Sequence, residues 1–416
     1  MANNIVSNNE NSNLIERFYN YDWSSTSFGP IDSWEPQIKS IVNLCFKSGF
    51  PTFIFMGQDW ITIYNEASIP AMKSKHPHAF IKPADEIWHE MPEVITWVDR
   101  VRESGKAMSG HDSYLEILRD GYKEEIYIDY AYSPIFKLDG TFWGIFSIAP
   151  ESTQNVLNNR RLKTLNKLSC QTSDAESLES ACQIIVKALQ NNQDIPYSLI
   201  YLIESNKVPK TGFNFPVARL VATTFDEVCK EELNHEKLKR HIPDYFPETH
   251  EIIDLTKISY QVHDTYVEKY ETSTYLFLRC DSWPINLVMK EENPIQVHLK
   301  DNSQAILLLI KLTFCNERNL SAVLICGINP LRKLDDKYME FYKSVLNYTH
   351  RILIRGMSIE EEKRRAKILA DLNHQKDMFF QSISHELKSN EYRIHKFLFL
   401  KYFKNIFIDV YILSLY

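Results

Sequence analysis

The chain has 416 residues, enough for more than one domain with its own core, and its 44% hydrophobic and 24% charged content is ordinary for a globular protein. A net charge of −7 argues against a dominant surface for nucleic acid or anionic membrane. The seven cysteines are dispersed, none in a Cys-x-x-Cys pair, so they give no zinc spacing and read as reduced thiols of a cytoplasmic protein.

Residues 1–19 begin polar and Asn-rich and are expected to form a disordered leader. Asp32 or Ser33 is positioned to cap a helix that takes Pro36 in its first turn and presents Trp34, Ile38, Ile41, Val42 and Cys45 on one face. Phe53-Ile54-Phe55-Met56 and Trp60-Ile61-Thr62-Ile63-Tyr64 flank Gly57-Gln58-Asp59, a hairpin signal. Helical and loop material follows, then strands at about 111–118, 122–135 and 141–149, with Gly121 and Gly140 supplying the positive φ their tight turns need.

Residues 155–192 read as a helical connector carrying Leu162, Leu165, Leu168, Ile184, Ile185 and Leu189. Strands are expected at 197–204, 218–224, 304–313 and 322–328, with helical and irregular segments between the second and third, and a helix opening at Asp335. From Leu334 a heptad runs through Tyr338, Phe341, Val345, Tyr348, Ile352, Ile359, Ala366, Leu369, Phe380, Ile383 and Leu387, interrupted at Arg355, Glu362, Asn373 and Lys376. A repeat of that length predicts a helix packed on a partner, most simply its copy in a parallel homodimer. Gly356 and the run Glu360-Glu361-Glu362-Lys363-Arg364-Arg365 mark a joint between two helical blocks. With Tyr338 at an a position, His385 falls at f, the most exposed place on the helix. The apolar stretch 397–416 contains Lys401, Lys404 and Asp409, each costing about 2.5–3.5 kcal/mol near a membrane midplane, so no membrane span is expected.

Several of these segments resemble one family. Two strands, short helices and then three strands is the order of a PAS sensor domain. Asp22-Trp23-Ser24, Gly29-Pro30, Trp34, Tyr64-Asn65 and Tyr132-Ser133-Pro134 are similar to the PAS-like domain of hybrid sensor histidine kinases, here over 20–154. Gly327-Ile328-Asn329-Pro330 followed by Leu334-Asp335-Asp336 and Tyr338 resembles the end of the GAF domains of those kinases, placing a GAF-like domain with its entry helix at 155–334. Phe379-Phe380-Gln381-Ser382-Ile383-Ser384-His385-Glu386-Leu387-Lys388 resembles their phosphoacceptor box, so 335–389 reads as a coiled-coil stalk and partial phosphoacceptor helix. The fold class expected is α+β: PAS-like and GAF-like antiparallel sheets with helices, then a long dimerising helix.

The resemblance implies a two-component phosphorelay. His385 would take a phosphoryl group from ATP and pass it to an aspartate of a response-regulator receiver domain. Glu386 would accept a proton from one ring nitrogen, leaving the other to attack, and Ser384 and Lys388 would lie near the phosphates. The family continues with Thr-Pro, whereas this chain has Ser389-Asn390, and 390–416 matches nothing in the family, as expected of a truncated gene model. No glycine follows Gly356, so the glycine-rich ATP site is not expected here; ATP and magnesium would enter only through the catalytic domain of an intact kinase, and enzyme activity is left open. Cofactor-binding residues are unassigned: there is no Asn-Cys-Arg-Phe flavin signature, and His76, His78 and His89 read as loop histidines. Thr224-Phe225-Asp226-Glu227 lacks the Asn-Lys that should precede a cyclic-nucleotide motif. The partners expected are a second copy, a receiver and an unknown small-molecule ligand. The alternative reading is a non-catalytic PAS–GAF binding and dimerisation protein that regulates a full-length kinase.

Overall fold

The computed structural model describes residues 14–119, 121–207, 214–224, 252–256, 262–270, 273–280, 283–299, 302–314 and 318–389. The chain is α+β, as its sequence pattern indicates. A first sheet has β1 (Thr52–Met56), β2 (Ile61–Tyr64), β3 (Met108–Arg119), β4 (Tyr122–Phe136) and β5 (Phe142–Ile148) in the antiparallel order β2-β1-β5-β4-β3. The expected hairpin pairs Phe53 with Tyr64 and Met56 with Ile61. Gly121 (φ +71°) and Gly140 (φ +83°) supply the left-handed positions of the two later turns.

Helices α1 (Leu14–Asn20), α2 (Pro36–Lys47), α3 (Ile69–Met72), α4 (Ala84–Ile87) and α5 (Pro92–Ser104) surround this sheet. Two expectations are corrected here. The leader does not extend to residue 19: α1 is helical because Leu14 and Phe18 bury against Trp23, Trp34 and Phe46, while residues 1–13 lie outside the described residues. Neither Asp32 nor Ser33 caps α2; both lie in a short 3-10 turn, and the N-cap is Glu35, whose side chain makes no capping hydrogen bond.

A second sheet, eight-stranded among the described residues, runs β8-β7-β6-β13-β12-β11-β10-β9. Its strands are β6 (Ser198–Lys207), β7 (Asn214–Thr223), β8 (Ile252–Asp254), β9 (Val262–Tyr270), β10 (Ser273–Cys280), β11 (Ile295–His298), β12 (Gln304–Phe314) and β13 (Arg318–Gly327). β8 to β11 occupy the segment expected to be helical and irregular; its described helix is the short α8 (Ile285–Glu291). β10 and β11 pair in parallel, which α8 between them permits, so the sheet is not wholly antiparallel. Trp283, Ile285, Val288 and the β11 side chains cover one face of this sheet. Helices α6 (Thr153–Cys170), α7 (Leu178–Leu189) and α9 (Asp336–Ser389) cover the other. In α6 the buried residues are Thr153, Leu157, Arg161, Thr164 and Leu168, so the inward face is rotated from the expected stripe and Leu162 is exposed.

α9 corrects the dimer expectation for its first half. Tyr338, Phe341, Tyr342, Val345, Ile352 and Leu353 are buried against the chain's own α6, α7 and second sheet. A heptad states that one helical face is apolar, not which partner covers it. The expected joint at Gly356 is a contact and not a break, since α9 continues through it unbroken. A Cβ there would sit 2.5 Å from the Ser177 carbonyl oxygen and 2.9 Å from Ala181 Cβ, so only glycine lets α9 cross the start of α7 this closely. The Glu360 carboxylate accepts the Leu178 N–H (3.1 Å) and Lys363 pairs with Glu176 (3.2 Å), the last ties before α9 leaves the body.

The two sheets meet at a cluster of charges. Arg160 of α6 donates to Asp194 through Nε (2.7 Å) and Nη2 (2.9 Å), and to Glu125 of β4 through Nη2 (2.5 Å) and Nη1 (3.2 Å). Its Nη1 also reaches Gln193 (2.8 Å). Burial alone would lower the Arg160 pKa, but its hydrogen bonds to Asp194 and Glu125 hold it above its ordinary value.

The Gly356 contact yields a prediction whose sign is the reverse of helix propensity. Gly→Ala in a helix ordinarily gains about 1 kcal/mol, but here the clash dominates and Gly356→Ala should lose about 1–3 kcal/mol. Urea denaturation followed by far-UV circular dichroism checks it.

Candidate functional site

The first sheet bends around a cavity of about 70 Å³. Phe53 and Phe55 of β1, Met72 of α3, Trp88 at the end of α4, Met91 and Val94 at the start of α5, Leu115 and Ile117 of β3, and Ile126, Ile128 and Tyr132 of β4 line it. The alternation of β4 explains the arrangement: Ile126 and Ile128 point into the cavity while Glu125, on the opposite face, reaches α6. Two polar atoms in this lining are buried without a hydrogen-bond partner, the Ser147 hydroxyl and the Trp88 indole N–H. Burial also raises the Tyr132 phenol above its ordinary pKa, so it stays protonated. Apart from Glu151 the lining is mostly apolar, and the site therefore favours a mostly apolar molecule. Since an engineered apolar cavity of about 150 Å³ holds benzene, a volume near half of that suits a molecule of a few heavy atoms.

The histidines considered for ligation do not gather into a site. His76 Nδ1 lies 3.0 Å from the Tyr64 hydroxyl, burial lowers its pKa, and His78 and His89 are exposed. Among the described residues no cluster of His, Cys, Asp or Glu is arranged for a metal, and no helix is long and apolar enough to cross a membrane. Phe225-Asp226-Glu227 and the 390–416 tail lie outside the described residues.

The second candidate is the far end of α9. Residues 362–379 are all exposed, and a helix rising 1.5 Å per residue carries His385 about 36 Å beyond Glu361. Ser384 and His385 are exposed, and Glu386 and Lys388 continue the helix, their side chains lying outside the described ones. Leu369 and Leu372 are 41% and 52% exposed, and with Ile383 they form an apolar stripe along one side of the helix. At 100° per residue, His385 lies on the side away from that stripe, as the heptad phase placed it. The structure brings Ser384, His385, Glu386 and Lys388 onto one helical turn but places no acid, base or cation from another element beside them among the described residues.

The residues missed by sequence reasoning are Glu125, Arg160, Arg161 and Asp194. Arg160-Arg161 lies in a polar helix and carries no local sign of burial, although Arg161 is 7% exposed and stacks over the Tyr338 ring at 4.3 Å. Asn329, in the phrase that resembles the end of a GAF domain, donates to Glu125 (3.2 Å), a contact its sequence context does not indicate.

No protein-family model and no curated protein matches the chain. Among solved structures it is similar to the PAS domain of a protein from Colwellia psychrerythraea, at 16% identity over 28% of this chain and 98% of that one, with a TM-score of 0.23. It is also similar to the GAF domain of an Acinetobacter phosphoenolpyruvate-protein phosphotransferase (11% identity, 48% and 97% covered, TM-score 0.27). A third likeness is to the chromophore-binding domain of a bacteriophytochrome from R. palustris (12% identity, 77% and 99% covered, TM-score 0.25). At these identities and scores they carry no argument about function.

The cavity's unpaired hydroxyl gives a test. In ligand-free protein, Ser147→Ala should raise the unfolding free energy by about 1 kcal/mol, at the low end of the cost of an unpaired buried group because the lost oxygen also enlarges the cavity. Urea melts of the two proteins measure it, and a loss of stability instead would show that the hydroxyl makes a hydrogen bond in the folded, ligand-free protein.

Proposed function

We propose that this chain is the sensory and dimerising part of a two-component histidine kinase. The first-sheet cavity takes a small, mostly apolar ligand, and α9 presents His385 to accept a phosphoryl group from ATP and deliver it to a receiver aspartate. The observation that carries this reading is the position of His385. It is exposed, on the side of the helix away from an apolar stripe, at the far end of a helix whose other end is buried in the second domain. An imidazole that must meet an ATP-bearing domain and then a receiver needs that access, and a neighbouring carboxylate at Glu386 suits a general base. The ten-residue match around His385 supplies the family, and the catalytic domain comes from an intact kinase.

The apolar stripe supports a homodimer through the exposed half of α9, not through its whole length. Isolated helices of this kind gain little stability alone, and leaving Leu369 and Leu372 in water forgoes their burial. Replacing Leu369 and Leu372 with Asp should convert a dimer to a monomer by light scattering without changing the first-sheet core. An unchanged mass would remove the dimer from this reading.

The phosphoryl role is tested by grafting a Thr-Pro-Leu continuation and a kinase ATP-binding domain after Lys388. Acid-labile label is expected on His385 and absent in His385→Gln, whose stability should change by only about 0.5 kcal/mol at an exposed site. Glu386→Gln should slow transfer by roughly 10²–10⁴-fold. Acid-labile label persisting in His385→Gln would overturn the assignment.

A further inference from the structure

The charge cluster between the sheets joins the cavity to the buried half of α9. On the cavity side, Ile126 and Ile128 of β4 are wall residues, and Glu125 is next to them in the chain with its side chain on the other face. Glu125 is 2% exposed, and both its oxygens are held by Arg160 while Asn329 donates to one of them. Its backbone N–H donates to the Leu331 carbonyl (3.1 Å), in the segment that leads into α9. Arg332 adds a pairing with Glu124 (3.1 Å) and a bond to the Glu125 carbonyl (3.2 Å).

On the α9 side, Asp194 takes the other end of the Arg160 guanidinium, and its backbone carbonyl accepts the hydroxyls of Tyr338 and Tyr342. The Tyr338 hydroxyl in turn accepts the Asn329 N–H (3.1 Å). Arg161 lies over the rings of Tyr338 (4.3 Å) and Phe341 (5.4 Å) while pairing with Asp194 (3.4 Å). The cavity wall and the first turns of α9 are therefore linked through Glu125, Arg160 and Asp194.

We infer that Arg160 is a coupling residue, a clamp that makes β4 and the buried half of α9 move as one unit. All five guanidinium N–H groups are engaged by Glu125, Asp194 and Gln193, so the clamp has no half-made state of comparable energy. If β4 shifts when the cavity fills, either α6 and α9 follow it or two buried carboxylates lose their cation, and the second outcome is strongly penalised. The clamp thus acts as a rigid tie, passing a displacement of the cavity wall to α9 without a second arrangement of its own. The use of this coupling in signalling rests on the function proposed above, but the coupling itself is measured without ligand, phosphate or His385.

Hydrogen exchange of the full chain, followed by mass spectrometry on peptides covering 338–352, tests it. Leu115→Ala enlarges the cavity opposite Ile126, on the face of the sheet away from the Glu125 side chain. With the clamp intact, this change should speed exchange of those α9 amides by about tenfold or more. In the neutral variant Glu125→Gln/Arg160→Met, which removes the bridging pair and leaves Asp194 paired with Arg161, the same change should alter α9 exchange by less than about twofold. Arg160→Lys, which keeps the charge and loses the two-sided grip, is the second background and should give an intermediate effect should the neutral variant not fold. α9 exchange that ignores Leu115→Ala with the clamp intact, or that accelerates equally in every background, overturns the inference.

Discussion

One guanidinium holds two buried carboxylates, Glu125 of the first sheet and Asp194 of the loop that leads into the second. Glu125 and Asp194 are almost fully buried, and neither would tolerate its position without a cation between them. Removing one partner of such an arrangement typically costs about 3–5 kcal/mol, a large part of the stability of a domain. The relative placement of the first sheet, α6 and the start of α9 follows from satisfying Arg160. Asn329, Arg332 and Tyr338 add further hydrogen bonds around Glu125 and Asp194, while Arg161 Nε and Arg332 Nε are buried there without a hydrogen-bond partner among the described residues.

α9 is one helix in two environments. Up to Gly356 it is a core helix of the second domain, with Val345 and Ile352 fully buried; beyond Glu361 it carries an apolar stripe into solvent. The change occurs where α7 ends its contact, at Gly356, Glu360 and Lys363, and not at any break in the backbone. A helix anchored at one end and free at the other transmits a displacement along its length because its backbone hydrogen bonds resist bending. That property makes the distance of His385 from the cavity compatible with control by it.

The strands legible in the sequence were those with apolar runs bounded by glycine turns. β1, β2, β4 and β5 fall within a few residues of expectation because Gly57, Gly121 and Gly140 punctuate them. β9, with His, Asp, Glu and Lys interleaved, lacks that pattern, and its pairing with β10 places it in the sheet. β10 carries an apolar run, Thr274-Tyr275-Leu276-Phe277-Leu278, inside the segment expected to be helical and irregular. The cavity was not legible at all, since its walls come from β1, β3, β4 and two helices whose residues look like any apolar core.

By itself the sequence determined the local matters: helix and strand period, the turns that require positive φ, and the helical face on which His385 lies. These depend on neighbours within one element, which spacing records directly. Tertiary structure alone decided what covers each face. The heptad of α9 was apolar in either case, and only packing assigned its first half to α6 and α7 of the same chain. Arg160 reads as a solvated connector residue until the fold brings Glu125 and Asp194 to it from 35 and 34 residues away. A charge is buried or exposed according to partners that are distant in sequence, and no local pattern states where they will be.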